Sequence, residues 1–319
     1  MTKRRVLAVT VVVLALLGLI PWAMSDKAPV GHFSSAADKD DFLAAYRAAM
    51  AGLPTPERTL DVRTSYGIVR LYRFAGAEDD QPPLVLVPGR AAAGPMWADN
   101  LPGLLEVRSV YTVDLLGEPG LSVQDRPITT ERDHAAWLRE TLAQLPEQRV
   151  HLVGYSIGGW TAMNLVVHAP DKVASLTLIE PVLVFAGLSA EAVVRSIPAS
   201  VSWLPKGMRD SFNSWLAGGA PVEDEPVADM IEAGMRTYRL KLSAPGRIPA
   251  EKIAAVDTPT LVIMAGASPM HDAAAAAELA GRTLRNGTVV TYPGASHAVN
   301  GEHPAELARD IAGHVARHS

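Results

Sequence analysis

The segment Gly154-Tyr155-Ser156-Ile157-Gly158 follows a short apolar run, Val150-His151-Leu152-Val153. No other stretch of the chain constrains the fold as tightly. A serine with glycines two residues before and two after suits a sharp strand-to-helix turn. The serine there takes a strained backbone conformation, and neighbouring backbone occupies the space a side chain at either glycine would need. The turn lifts the hydroxyl clear of the sheet edge. It also aims the first amides of the next helix at whatever the hydroxyl meets. The spacing predicts a strand over 149–153, a helix over 157–169, and Ser156 as a candidate nucleophile.

The flanking sequence agrees with that turn. Residues 59–64 and 67–75 alternate apolar and polar around Ser65-Tyr66-Gly67, which predicts an antiparallel hairpin. Pro83-Leu84-Val85-Leu86-Val87 is unbroken apolar, as in a strand buried on both faces. Further strands are predicted over 107–113, 173–179, 259–265 and 288–291, with helices over 38–53, 131–145, 272–283 and 303–317. Strands alternating with helices imply an α/β fold: a mostly parallel sheet with helices on both sides. Residues from about 183 to 256 break the rhythm. They carry Trp203, Met208, Phe212, Trp215, Met230, Met235 and Tyr238 in helix-like pieces, which predicts a strand-free helical cap above the strand ends. These aromatic and methionine side chains are expected to pack the cap onto the body.

The chain has 319 residues, a net charge of −5 and no cysteine. It can bury a large core. It lacks the basic face of a nucleic-acid binder, and disulfides and thiolate catalysis are excluded. Its first residues stand apart. Lys3-Arg4-Arg5 precedes an uncharged, mainly apolar run from Val6 to Met24, long enough at ~1.5 Å per residue to nearly cross a bilayer. The basic cluster orients the chain with its bulk outside the cytoplasm. Two readings stand: a signal peptide cleaved near Ala23-Met24-Ser25, or a retained membrane anchor. Residues 1–25 are thus expected to export the protein to the cell envelope or beyond. Residues 26–58 would form a polar tether and a helix, and residues 59–319 the catalytic unit.

From about Tyr66 onward the chain resembles the α/β-hydrolases. The likeness rests on the elbow at 154–158, on a late histidine in Gly294-Ala295-Ser296-His297, and on a cap in the usual place. It rests also on Val87-Pro88-Gly89-Arg90 leading to Trp97, and on Asp114-Leu115-Leu116-Gly117-Glu118-Pro119-Gly120-Leu121-Ser122. The last two are similar to the family's His-Gly oxyanion loop and its Asp-x-x-Gly-x-G-x-S turn, the second with one extra residue between the glycines. Within the family, the simple esterases with a short cap are nearest in character. The resemblance implies Ser156 as nucleophile, His297 as its base, and the amides of Ile157 and Arg90 as the oxyanion hole.

The acid is open. The family usually places it just after the strand that ends at Gly266, but Gly266-Ala267-Ser268-Pro269 has no carboxylate. Glu180 ends the preceding strand, where some haloalkane dehalogenases carry theirs. Asp272 is the alternative, though a short acid directly before Ala273–Ala277 also reads as a helix cap. Asp114 is expected to fix its loop, and the Arg90 side chain to pair with Glu180 or Asp114. The implied activity is hydrolysis of a small-molecule carboxylic ester, or of a thioester, lactone or amide. It proceeds through an acyl-serine and needs no metal or organic cofactor. The alternatives are a cofactor-free perhydrolase or haloperoxidase-like activity, and a non-catalytic envelope binding protein on the same scaffold.

Overall fold

The computed structural model describes residues 26–201 and 204–318. The expected signal or anchor and Trp203 lie outside these residues. Among the described residues no helix is long and apolar enough to cross a membrane.

Strand β1 (His32–Phe33) leads into helix α1 (Ala36–Ala51). Ser35 caps α1 by accepting the Asp38 amide, and Phe42, Tyr46 and Ala49 are buried. The predicted hairpin is β2 (Arg58–Thr64) and β3 (Gly67–Phe74), paired in register from Arg58↔Arg73 to Thr64↔Gly67. Next come β4 (Leu84–Val87), a 3₁₀ turn at Gly94–Trp97, α2 (Leu101–Leu105), β5 (Val110–Val113) and β6 (Val123–Gln124). Helix α3 (Glu131–Ala143) starts at a capping box, in which Thr130 and Asp133 satisfy each other's backbone amides. The elbow elements are β7 (Val150–Tyr155) and α4 (Ile157–His168), followed by β8 (Val173–Ile179). Helices α5 (Ala190–Ala199), α6 (Lys206–Leu216) and α7 (Pro226–Thr237), strand β9 (Tyr238–Arg239) and helix α8 (Ala250–Ala254) fill the stretch before β10 (Thr260–Ala265). Helix α9 (Ala273–Thr283), strand β11 (Gly287–Tyr292) and helices α10 (Val299–Glu302) and α11 (Pro304–Ala316) complete the described chain.

The main sheet has the order β11-β10-β8-β7-β4-β5-β3-β2, with β6 beside β3. Strands β11, β10, β8, β7, β4 and β5 are mutually parallel, whereas β3 runs antiparallel to β2, β5 and β6. Helices cover both faces. Leu84 and Leu86 of β4 join one core cluster with Phe42 of α1 and Leu307 and Ile311 of α11. Val85 and Val87 join the other with Trp137 of α3 and Trp160 and Met163 of α4. The period-two alternation of a strand thus feeds two cores, which is why β4 carries no polar position at all.

Two expectations are corrected. The segment read as a polar tether is fastened to the body: the Gly31 amide donates to Gln124 Oε1 at 2.9 Å and the Ser34 amide to the Thr237 carbonyl at 2.9 Å. The cap also contains a strand. β9 pairs antiparallel with β1, Phe33 opposite Tyr238. The Phe33 ring meets Tyr238 edge-on at 5.0 Å and Phe42 at 5.1 Å. A two-residue ladder is too short to show as alternation in the sequence, and these ring contacts hold it. Of the cap residues expected to pack onto the body, Met230 is fully buried and Phe212 stacks on Trp215 at 6.0 Å, whereas Met208 is exposed.

Candidate active site

Ser156 sits between β7 and α4 with φ 54° and ψ −119°, a conformation that L-residues rarely adopt. The elbow holds it there. A Cβ at Gly154 would fall on the Gly158 carbonyl, and one at Gly158 on the carbonyls of Val87 and Pro88. Both glycines are therefore demanded by close backbone approach. The Ser156 amide donates to Ile179 of β8 at 3.0 Å, which ties the turn to the neighbouring strand end.

His297 reaches the serine from the loop after β11, its Nε2 lying 2.9 Å from Ser156 Oγ. The loop is gripped from three sides. The Tyr155 hydroxyl donates to the His297 carbonyl at 2.6 Å. The His297 amide donates to the Leu216 carbonyl at 3.1 Å, at the end of α6. Glu302 accepts from the Ser296 amide at 2.8 Å and the Ser296 hydroxyl at 2.5 Å. Tyr155, the residue before Ser156, and the cap thus both position His297.

Of the two candidate acids, the fold brings only Glu180 to the histidine. Glu180 follows β8 with φ 46° and is fully buried. Its Oε1 lies 3.5 Å from His297 Nδ1, and its Oε2 accepts the Ala265 amide at 2.8 Å. Strand β8 pairs with both β7 and β10, so its carboxyl end lies between the elbow and the strand from whose far side His297 comes. Asp272 is an exposed N-cap of α9, accepting the Ala275 amide at 2.9 Å. Its adjacency to the alanine run decides that role, as helix amides need an acceptor there.

Burial would raise the Glu180 carboxyl, but the His297 hydrogen bond, the His297 and His271 charges and the Ser268 hydroxyl outweigh it and hold it below the usual range. With the folded value depressed, this carboxylate stabilises the protein above the unfolded-state value of roughly 4.3. That contribution disappears as pH falls through the lower folded value.

Ile157 opens α4, so its amide has no acceptor within the helix. The loop carrying Arg90 abuts Ser156, since a Cβ at Gly89 would lie 3.1 Å from the Tyr155 ring and 3.6 Å from Ser156 Cβ. The Arg90 side chain pairs with neither Glu180 nor Asp114. It lies 3.2 Å from Glu118 Oε1, and Glu118 Oε2 accepts the Ala91 amide at 3.1 Å. Glu118, nearly fully buried, is thus a support of this loop that sequence reasoning missed. Its only signal was the extra residue between Gly117 and Gly120. Asp114 does fix its loop, accepting from the Gly94 and Leu121 amides at 2.8 Å each and from the Tyr46 hydroxyl at 3.0 Å. A groove lined by Ser214, Trp215, Gly218 and Ala267 opens beside the histidine loop.

Residues 84–310 match the Alpha/beta hydrolase family. The chain is an α/β-hydrolase. It is 27% identical over 158 residues to an uncharacterized carboxylesterase, nap, of Bacillus subtilis, covering 48% of this chain and 52% of that protein. It is 26% identical over 181 residues to the carboxylesterase YbfK of the same organism, covering 56% and 58%. The chain therefore spans little more than half the length of these curated relatives. Among solved structures, the α/β-hydrolase resembles naproxen esterase from Bacillus subtilis with a TM-score of 0.80 at 20% identity, over 87% of this chain and 98% of the other. A membrane phospholipase A shares the fold with a TM-score of 0.69 at 20% identity, over 99% and 98% of the two chains.

Proposed function

We propose that the protein hydrolyses carboxylic esters through an acyl-serine intermediate. The observation that carries this reading is the 2.9 Å approach of His297 Nε2 to Ser156 Oγ on a strained elbow. A serine hydroxyl needs a base in reach to attack at neutral pH. Ser156 Oγ bonds to the ester carbonyl carbon as its proton passes to His297 Nε2. Glu180 stabilises the imidazolium so formed. The amides of Ile157 and Arg90 receive the oxyanion. Collapse breaks the bond to the alcohol oxygen, which takes the proton from His297. Water then attacks the acyl-serine by the same route and restores the hydroxyl. The names of the two curated relatives support an ester. Thioesters and lactones present the same carbonyl and fall within this chemistry. A fluorophosphonate probe is expected to label the wild type and to leave Ser156→Ala unlabelled; an unlabelled wild type would falsify the acyl-serine reading.

We further propose that this unit works outside the cytoplasm, exported by or anchored through residues 6–24. The basic cluster and uncharged run at the start of the sequence support this. So do the exposed apolar residues Leu188, Val193, Val194, Ile197 and Met208, which fall in one stretch of the cap. Val194 and Ile197 lie three residues apart on one face of α5, suited to a lipid surface. Expressed with its full N-terminus in bacteria, the protein is expected to be degraded by protease added to spheroplasts. Full protection until lysis would reverse the assignment.

A further inference from the structure

A second imidazole stands beside the acid that faces His297. His271 lies between β10 and α9 with its side chain entirely buried, and its Nε2 is 3.2 Å from Glu180 Oε1. This is the same oxygen that lies 3.5 Å from His297 Nδ1. The other carboxylate oxygen is engaged by the Ala265 amide. One oxygen therefore faces two histidines. The His271 contact lacks hydrogen-bond alignment, and neither of its ring nitrogens has a hydrogen-bond partner. Buried polar atoms are rarely left so, and the arrangement does nothing for helix or core that an apolar side chain would not do better.

We infer that His271 is a positioning residue for the reaction: when neutral it backs the Glu180 carboxylate against His297, and when protonated it draws Oε1 away and disarms the base. The inference rests on the acyl-serine reading. Two consequences of one added proton act in the same direction. A cationic His271 competes for the oxygen that must stabilise the His297 imidazolium during attack. Its charge also opposes formation of that imidazolium across a buried carboxylate, where screening is weak. The groups facing His271 are Glu180, His297 and Asp272, and the Ser268 hydroxyl also bonds Glu180. Burial pushes the His271 ring down, Glu180 and Asp272 pull it up, and the His297 charge pushes it down again, for a net lowering. The ring accordingly takes up its proton at lower pH than an ordinary histidine. The proton comes from solvent and no bond between heavy atoms changes.

The test is the pH dependence of kcat/KM for a water-soluble nitrophenyl ester, measured on the full chain as wild type and His271→Gln, with folding followed by circular dichroism at each pH. The wild-type acid limb is expected to steepen from first to second order in protons as pH falls. In His271→Gln the limb stays first order, and the alkaline plateau drops by up to about a hundredfold because Glu180 loses its backing. Persistence of the steepening in His271→Gln overturns the role, as does a first-order wild-type limb down to the onset of acid unfolding. Should His271→Gln not fold, the ring nitrogens of the wild type supply the same test by NMR. His271 and His297 must then titrate as a coupled pair, and independent titration overturns the inference. Fluorophosphonate labelling of the wild type in the same preparations separates the two readings: labelled protein with an unchanged limb sinks only the role of His271, and unlabelled protein sinks the acyl-serine mechanism.

Discussion

Glu180→Gln is expected to lower kcat for a soluble ester by about 10⁴-fold, the scale seen when the carboxylate behind a catalytic histidine is made neutral. The side chain keeps its shape, so KM and folding change little. What is lost is the charge that stabilises the imidazolium and the acceptor that selects the Nδ1–H tautomer. An amide in this place would present an N–H to Nδ1 as readily as an oxygen. It would then favour a proton on Nε2, where the base must have none. Asp272→Ala gives the contrasting result. It removes the acceptor for the Ala275 amide and costs about 1 kcal/mol of stability, as expected of an N-cap, with turnover preserved. Steady-state kinetics and thermal melts of the two variants decide the matter. A large kinetic defect in Asp272→Ala with near-normal Glu180→Gln would transfer the acid role to Asp272.

Ser156→Ala and His297→Ala are each expected to lower kcat by about a millionfold, with the double variant no slower than either alone. The non-additivity is the informative part. A histidine 2.9 Å from the serine acts through the acyl-serine route, taking the serine's proton and passing it to the leaving alcohol, so once either partner is gone the other contributes little. Residual turnover would come from Ile157 and Arg90 amides still able to receive an oxyanion. Kinetics with single-turnover detection settle this. Defects that multiply in the double variant would show the two residues acting independently, contrary to a shared proton transfer.

Most of the framework was legible in the sequence because it depends on local pattern. The β4 run, the β2–β3 alternation and the glycine spacing around Ser156 each express the geometry of a few consecutive residues. The small departures have a common cause. The β1–β9 ladder joins segments about 200 residues apart, held by Phe33, Phe42 and Tyr238. Neither two-residue strand carries a periodic signal of its own. Glu118 stands within a turn whose irregular spacing carries no sign of its contact with the Ala91 amide. His271 does not stand where the family places its catalytic histidine, and a lone histidine before a helix cap carries no signal of burial.

The placements of Ser156 and His297 follow from the chain itself. A serine flanked by obligatory glycines between a buried strand and a helix has one conformation open to it, and His297 falls where the last strand must release the chain. Which carboxylate meets His297 could not be read that way. Glu180 and His297 are 117 positions apart, and both Glu180 and Asp272 sit at plausible strand or helix ends. Sheet order decided between them: β8 lies between β7 and β10, which places Glu180 beside the histidine, while the free amides of α9 claim Asp272. That same juxtaposition of strand ends set His271 against the acid, a contact no spacing in the sequence encodes, because it arises from the packing of three strands rather than from any one of them.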